Sequence, residues 1–562
     1  MQNFEFRRLV RLTLVCCSLF ATTPADAEDV AAPAGEAEEP VVVMSRGIAL
    51  LHQDNPAGAI PFFDAALKLD PKLTPAFRFR GMARQDLRDS VGAIADFSKF
   101  LESAPDDAYV LVRRGKAWAE QGSDEKALDD FNNAVRYQPE YAYALVGRGE
   151  YLLSTRDYAG ASADFERAIA LKPDDAAAYA GRGSVRLAKK ELAAASVDFS
   201  KAIELDPTDP YKYLLSGRVK KEQGDFAAAL AEYDRAIALD PKSSDAYIDR
   251  GNAYNDQGEY ERAIAEYDRA IELSPKSAPA WNNRGSTYRI RKQFNEALAD
   301  LNRAIAIDPQ FVEAYRNRGR VYEDRQDWKA AETEYTRLAQ LRPDDVAAYL
   351  RRAAVRQNLN ELEDAAADFS RAAQLAPRDP QILVHRGAVR ILQSKWNEAL
   401  GDFSAAIQLD VKFAAAYFNR AYVYEELRQP EKALADYTQA HELKPEDPEV
   451  LVNRGIVHEG LGDYEKAVAD YDAALKLDEK LVLAYFNRGN ARQLQKKTVE
   501  ALADYDRALE LDPQFAWAYA GRGLVHLAEK RPENAEADFT RALELDPSLK
   551  AELDERIAEL LK

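Results

Sequence analysis

The chain has 562 residues, with 95 acidic against 76 Lys and Arg, for a formal net charge of −19. A surface this acidic repels nucleic acid and anionic lipid, which excludes both as general partners. Apolar residues make up 47% of the chain, the ordinary share of a folded protein.

Residues 1–27 read as a secretory signal peptide. Arg7, Arg8 and Arg11 form a positive start, and Leu12 to Ala21 is an apolar core too short to span a bilayer. Ala25-Asp26-Ala27 offers small residues for cleavage before Glu28. Without this segment the balance is 73 cations minus 93 acids, or −20. Export to a bacterial periplasm or the exterior is expected. A lipid-anchored alternative through Cys16 or Cys17 is disfavoured by the residues before them, Val15 and Cys16. These are the only two cysteines, so the processed chain is expected to lack disulfides, thiolate chemistry and cysteine metal sites. No Asn-x-Ser/Thr acceptor occurs, in keeping with bacterial export. Residues 28–39, acidic and rich in Ala and Pro, read as a disordered spacer.

From Pro40 to Leu549 one 34-residue unit recurs fifteen times without insertion or deletion. Its terminal proline falls at Pro71, Pro105 and onward to Pro547; Val411 and Glu479 occupy the two missed beats. Position 8 is Gly in thirteen copies (Gly47, Gly251, Gly523 among them) and Ala in two, Ala353 and Ala421. Position 20 is always Ala, position 24 is Phe or Tyr except at Leu301, and position 27 is Ala in thirteen copies. Positions 20, 24 and 27 form one stripe of a helix, and 4, 8 and 11 a similar stripe on the helix before it. A helical glycine costs about 1 kcal/mol against alanine. Its recurrence implies close approach by a second backbone, with the ring at 24 filling the space beyond. Proline ends the second helix. Helices this short are marginal alone, so stacking of neighbours supplies the stability.

A second regularity pairs Arg at position 7, in fourteen copies, with Asp or Glu at position 23, also in fourteen. This spacing predicts an architectural pair within or between repeats, with the arginine stem over apolar surface and its head in water. Repeat one departs from the pattern. Pro61 lies early in its second helix and Phe62 replaces the acid, which predicts a frayed or distorted helix. Residues 550–562 carry Leu553, Ile557, Leu560 and Leu561 on one face and read as a capping helix. Stacking of this helix on a second molecule is the alternative.

These residues resemble the tetratricopeptide repeat: an aromatic near position 4 (Tyr247, Trp281), Gly at 8, Tyr at 11 (Tyr254, Tyr288), Ala at 20, an aromatic at 24, Ala at 27 and Pro at 32. The resemblance covers residues 40–549. It implies an all-α, right-handed α-solenoid superhelix of fifteen helix-turn-helix repeats. Its concave groove would be lined by the first helix of each pair and would hold a protein or peptide.

Nothing in the sequence suggests a catalyst. The five histidines, His52, His385, His441, His458 and His526, are scattered, and His458 and His526 take the core position 11. No phosphate loop, dinucleotide fingerprint or nucleophile elbow occurs, and no cofactor or metal is expected. The candidate site is instead the groove, at positions 2, 5, 9 and 12 with neighbouring 6. In repeats seven to ten these are polar: Asn252, Asn255, Asn282, Asn283, Arg316, Asn317, Arg320 and Arg351. The asparagines suit an extended peptide backbone, and Arg316, Arg320 and Arg351 form a basic island suited to carboxylates. In repeats twelve to fourteen the stripe is apolar, with Phe418, Tyr422, Val452, Ile456 and Phe486 beside Glu425, and suits a hydrophobic anchor. Both patches also admit a plain surface or packing reading. The family's carboxylate clamp is matched only by Asn252 and Asn283 and is broken by Ile248, Glu313 and Asn317, so chaperone tails are not expected. The expected function is an exported binding scaffold, in envelope assembly or secretion. Self-association by end stacking is the alternative.

Overall fold

The computed structural model describes residues 39–561; the segment expected to be a signal peptide and nearly all of the expected spacer lie outside them. Among the described residues there are 31 α-helices, one short 3-10 turn and no strand. None of these helices is long and apolar enough to cross a membrane. Contacts divide the chain into two units, residues 1–239 and 240–562. Each is a tandem of antiparallel helical hairpins in the 34-residue register. Repeat seven is typical: a first helix at Ser244–Asp256 and a second at Tyr260–Leu273.

Local chemistry sets each boundary. Where position 34 is Asp or Ser it caps the first helix of the next repeat, as when Asp107 accepts from the Val110 N–H at 3.0 Å and Ser243 from Ala246 at 3.4 Å. The hairpin turn puts position 15 in the left-handed region in every repeat. Four copies use glycine there, and eleven use other residues with φ of 56–66°. The turn closes as a Schellman motif, with the Lys292 N–H donating to Arg289 O at 2.8 Å and that of Gln293 to Tyr288 O at 2.9 Å. At the far end, position 31 is extended, as a residue before proline should be. Asp410 and Asp478 adopt the same conformation ahead of Val411 and Glu479. The junction to the next repeat therefore ends the second helix even where proline is missing.

Positions 20, 24 and 27 are buried as expected: Ala263, Tyr267 and Ala270 are at most 1% exposed. Two expectations about packing are corrected. Position 8 is glycine mainly to admit a ring, since a Cβ on Gly251 would lie 2.7 Å from Tyr267 Cε1; backbone approaches only in a few repeats, such as Ala297 O at Gly285. The first helix also buries a second stripe, positions 3 and 10. Ala314 and Val321 of repeat nine close over Ala297, Leu301 and Ala304 of repeat eight, and Ala484 and Ala491 close over Tyr471 in the same way. Each second helix is therefore sandwiched between two first helices.

The predicted pairing of positions 7 and 23 is present in all thirteen repeats that carry both residues, at 2.6–2.9 Å. In eleven of them the same guanidinium also reaches position 25 of the preceding repeat, at 2.5–3.4 Å. The arginine is thus a staple between repeats. The expectation of a wet head is corrected: the aspartates are buried and, in nine repeats, the guanidinium lies over the position-4 ring, as Arg284 does over Trp281 at 4.8 Å. In repeat six, where Ser216 replaces the arginine, Lys220 meets Glu232 instead.

The second helix of repeat one is not frayed. Pro56–Leu69 is continuous through Pro61. Asn55 caps it at the Gly58 N–H, 2.9 Å, and buried Ala59, Phe63 and Ala66 hold it on the core. One lost hydrogen bond near the first turn is outweighed by that packing. At the other end, helix Lys550–Leu560 continues the register. Leu553 is buried, Ile557 is half-buried, and Leu560 and Leu561 stay exposed, so only half of the predicted stripe covers the last hairpin.

Candidate functional site

The first helices of repeats seven to ten, Ser244–Asp256, Ala278–Ile290, Val312–Asp324 and Val346–Asn358, bring the predicted polar residues into two groups. The asparagines form a ladder. Asn283 donates to Asn252 Oδ1, Asn282 to Asn283 Oδ1 and Asn317 to Asn282 Oδ1, each at 2.9 Å. Asn252 also accepts from the Tyr267 hydroxyl at 2.8 Å, and Asn255 from Thr287 at 2.9 Å. Asn282 is buried. The ladder ties three repeats together and uses part of the amides' capacity.

The arginines form the second group, with a member the sequence reading left unnamed. Arg289, at position 12 of repeat eight, joins Arg316, Arg320 and Arg351. Three of the four meet acids: Arg289 with Asp324 at 2.7 Å, Arg316 with Asp345 at 2.8 Å and Arg351 with Glu323 at 3.3 Å. Arg320 meets none among the described residues. Burial, followed by Arg351 and Arg289, holds its guanidinium below the usual arginine range. The basic island is therefore largely neutralised from within, and its uncompensated charge sits at one position.

The apolar stretch separates into core and surface. Phe418 packs edge-on to Tyr437 with centroids 5.7 Å apart, Val452 is buried, and Phe486 lies against Phe515 at 5.2 Å. Val452 serves packing, whereas Phe418 and Phe486 are half-buried, with one side on these rings. Tyr422 and Ile456, at position 9 of successive repeats, are each 41% exposed. Glu425 accepts from the Tyr437 hydroxyl, and burial pushes its carboxyl above the usual range. Glu459 repeats the arrangement with Tyr471 at 3.2 Å. Beyond Phe486 lies a small cleft of about 20 Å³, lined by Phe486, Asn490, Trp517, Leu524, Leu553 and Arg556. Trp517, at position 2, is 38% exposed at this cleft and was missed because a single tryptophan carries no periodic signal. His458 is half-buried, and burial lowers its pKa. Among the described residues, no three His, Cys, Asp or Glu side chains are placed to hold a metal ion.

Models of the tetratricopeptide repeat match residues 80–144, 125–173, 146–210, 214–278 and 316–380, others of the same repeat match 266–299, 414–447, 482–515 and 516–549, and a TPR repeat model matches 285–326 and 460–496. No curated protein matches the chain. Similar solved structures include the APC/C hetero-tetramer Cut9-Hcn1, with 16% identity, a TM-score of 0.42, and 87% of this chain and 96% of that one covered. A tetratricopeptide repeat protein from Parabacteroides merdae shows 19% identity and a TM-score of 0.39 over 45% and 99%. Yeast Tom70 shows 17% identity and a TM-score of 0.35 over 75% and 95%. With fifteen hairpins in strict 34-residue register and repeat models matching along most of its length, the chain belongs to the tetratricopeptide repeat family.

Proposed function

We propose that this repeat protein is an exported, non-catalytic scaffold that binds a protein or peptide on the first-helix faces of residues 240–561, in envelope assembly or secretion. The observation that carries the reading is the set of large apolar side chains left in solvent on those faces. Tyr422, Ile456 and Trp517 stand on the first helices of repeats twelve, thirteen and fifteen, the last beside the cleft at Phe486. Aromatic and branched side chains exposed beside a concavity are the usual anchors of a protein interface. Export rests on the order of charges, apolar core and small residues in 1–27.

A photo-crosslinking residue placed at Tyr422, Ile456 or Trp517 should trap the same partner in native extract. One placed at Val499, exposed on a second helix, should trap none. Equal trapping from both faces, or none from either, would overturn the assignment. The mature chain should begin at Glu28, as read by N-terminal sequencing. End-to-end self-association is favoured by Leu560 and Leu561, exposed at 45% and 71%. Light scattering decides between the readings, since stacking raises the mass with concentration.

A further inference from the structure

The junction between repeats five and six departs from the others in two ways at once. There the first helix of repeat six, Pro210–Glu222, covers the second helix of repeat five, Leu192–Leu205. In every other repeat from two to fifteen, position 3 is a buried Ala, Val or Ile, as Ala314 is. In repeat six it is Lys212, only 4% exposed. Its methylene stem lies in the stack, and its ammonium turns to the loop between the repeats. There it meets Asp206 and, at 3.3 Å, Asp209, whose side chains are each 40% exposed. Lys212, with Thr208, lowers the Asp206 carboxyl to about 2, so the group stays charged across ordinary pH. The apolar cluster at this junction draws Leu215 and Val219 of repeat six against Ala195 and Phe199, with nothing from position 3. A buried ion pair is seldom worth more than well-packed apolar side chains in its place.

The second departure is the missing staple. Ser216 stands at position 7, where the other thirteen repeats from two to fifteen carry arginine. Elsewhere that guanidinium reaches back across the junction, as Arg420 reaches Ser404 at 3.1 Å. Ser216 is too short to do so and donates within its own repeat, to Glu232 at 3.3 Å. Lys220 meets the same Glu232, and that pair does not cross to repeat five either. One junction therefore loses both the small apolar contact and the charged tie that hold the others.

We propose that residues 40–239 carry a built-in joint, at which the first helix of repeat six parts from the second helix of repeat five, with Lys212 as its charged latch. The latch opens at low cost because both acids stand at the solvent edge, where water replaces the bonds they give up. Opening uncovers Ala195, Phe199 and Ala202 while the hairpins on either side keep their own helix pairs. Local openings of this kind precede global unfolding and occur where the fewest contacts cross. The joint does not depend on what the chain binds.

The test uses the full chain with Cys16→Ser and Cys17→Ser, so that one introduced cysteine is the only thiol. Ala202→Cys and Ala304→Cys place it at position 27 of repeats five and eight, and Ala168→Cys at position 27 of repeat four, all at sites that are 0% exposed. A maleimide reacts there under native conditions only when a junction opens, so the rate reads the open fraction. Ala202→Cys should react about tenfold faster than either of the others, the scale of one missing charge-assisted bond. In the Ala202→Cys chain, Ser216→Arg should slow the reaction about tenfold, by restoring bonds to Ser200 and Glu232. Lys212→Ala should slow it several-fold, since alanine packs where the latch stood and leaves two acids in water. Should Ser216→Arg fail to fold, as read by circular dichroism, Lys212→Ala alone decides. Equal rates at the three sites overturn the joint, and so does a faster rate at Ala168→Cys, which would mark fraying from the nearer chain end. A rate at Ala202→Cys that neither repair slows overturns the assignment to Lys212 and Ser216.

Discussion

The arginine staple makes a quantitative prediction at Arg284 and Asp300. Asp300 is 4% exposed; Arg284 holds its two oxygens at 2.7 and 2.8 Å and reaches Asp268 of the preceding repeat at 2.5 Å. Burial is the largest influence on Asp300 and pushes its carboxyl above the usual range despite Arg284. The pair therefore adds little net stability, yet breaking it from one side strands a charge. Stranding a fully buried carboxylate costs about 3–5 kcal/mol; Asp300 is close to that limit and the Arg284 side chain is only 16% exposed, so Arg284→Met should cost about 3 kcal/mol. Asp300→Leu leaves Arg284 with Asp268 and water and should cost about 1 kcal/mol. The double variant should return to within about 1 kcal/mol of the wild type. A long repeat array does not unfold in one step. Native-state hydrogen exchange of the amides in Phe294–Ile307 is therefore the appropriate measurement. The pH dependence has a definite sign. The folded pKa of Asp300 lies above its unfolded value, so the folded state binds more protons in the interval between them, and stability falls as pH rises through it. Arg284→Met extends that interval upward, so its deficit should be smallest in acid and grow toward neutral pH. A cost below about 0.5 kcal/mol for Arg284→Met, or a double variant as damaged as the sum of the singles, would refute the reasoning.

Other predictions follow from the turns and the core. Lys292→Gly relieves a left-handed lysine at φ 60° and should stabilise its repeat by about 1 kcal/mol, read from native-state hydrogen exchange of the flanking helices. Gly251→Ala drives a methyl into the Tyr267 ring and should cost about 1–3 kcal/mol by the same measurement. Glu459, raised by burial, should show the acid sign again. Glu459→Gln should be more stable than the wild type at neutral pH, and the gap should close as pH falls below the unfolded glutamate pKa in a series of melting curves.

The sequence by itself determined the period, the hairpins, the burial of the ring at Tyr267 and the pairing of Arg284 with Asp300. Each lies within one repeat, and the 16-residue separation of Arg284 from Asp300 recurs along the chain, so helix geometry alone brings the partners together. Only the tertiary structure decided how one repeat meets the next. It revealed the reach of Arg284 to Asp268, the closure of Ala314 and Val321 over the preceding second helix, and the continuity of the helix through Pro61. It also separated core from candidate site: Val452 went inward, Phe418 and Phe486 lie half-buried against neighbouring rings, and Tyr422 and Ile456 stayed in solvent. Arg316 and Arg351 found acids while Arg320 did not. Those outcomes depend on which side chains of neighbouring first helices meet and compete for acceptors, as Arg351 reaches Glu323 of the preceding repeat. Spacing along a single chain does not encode that competition, because it is settled only once the repeats are stacked.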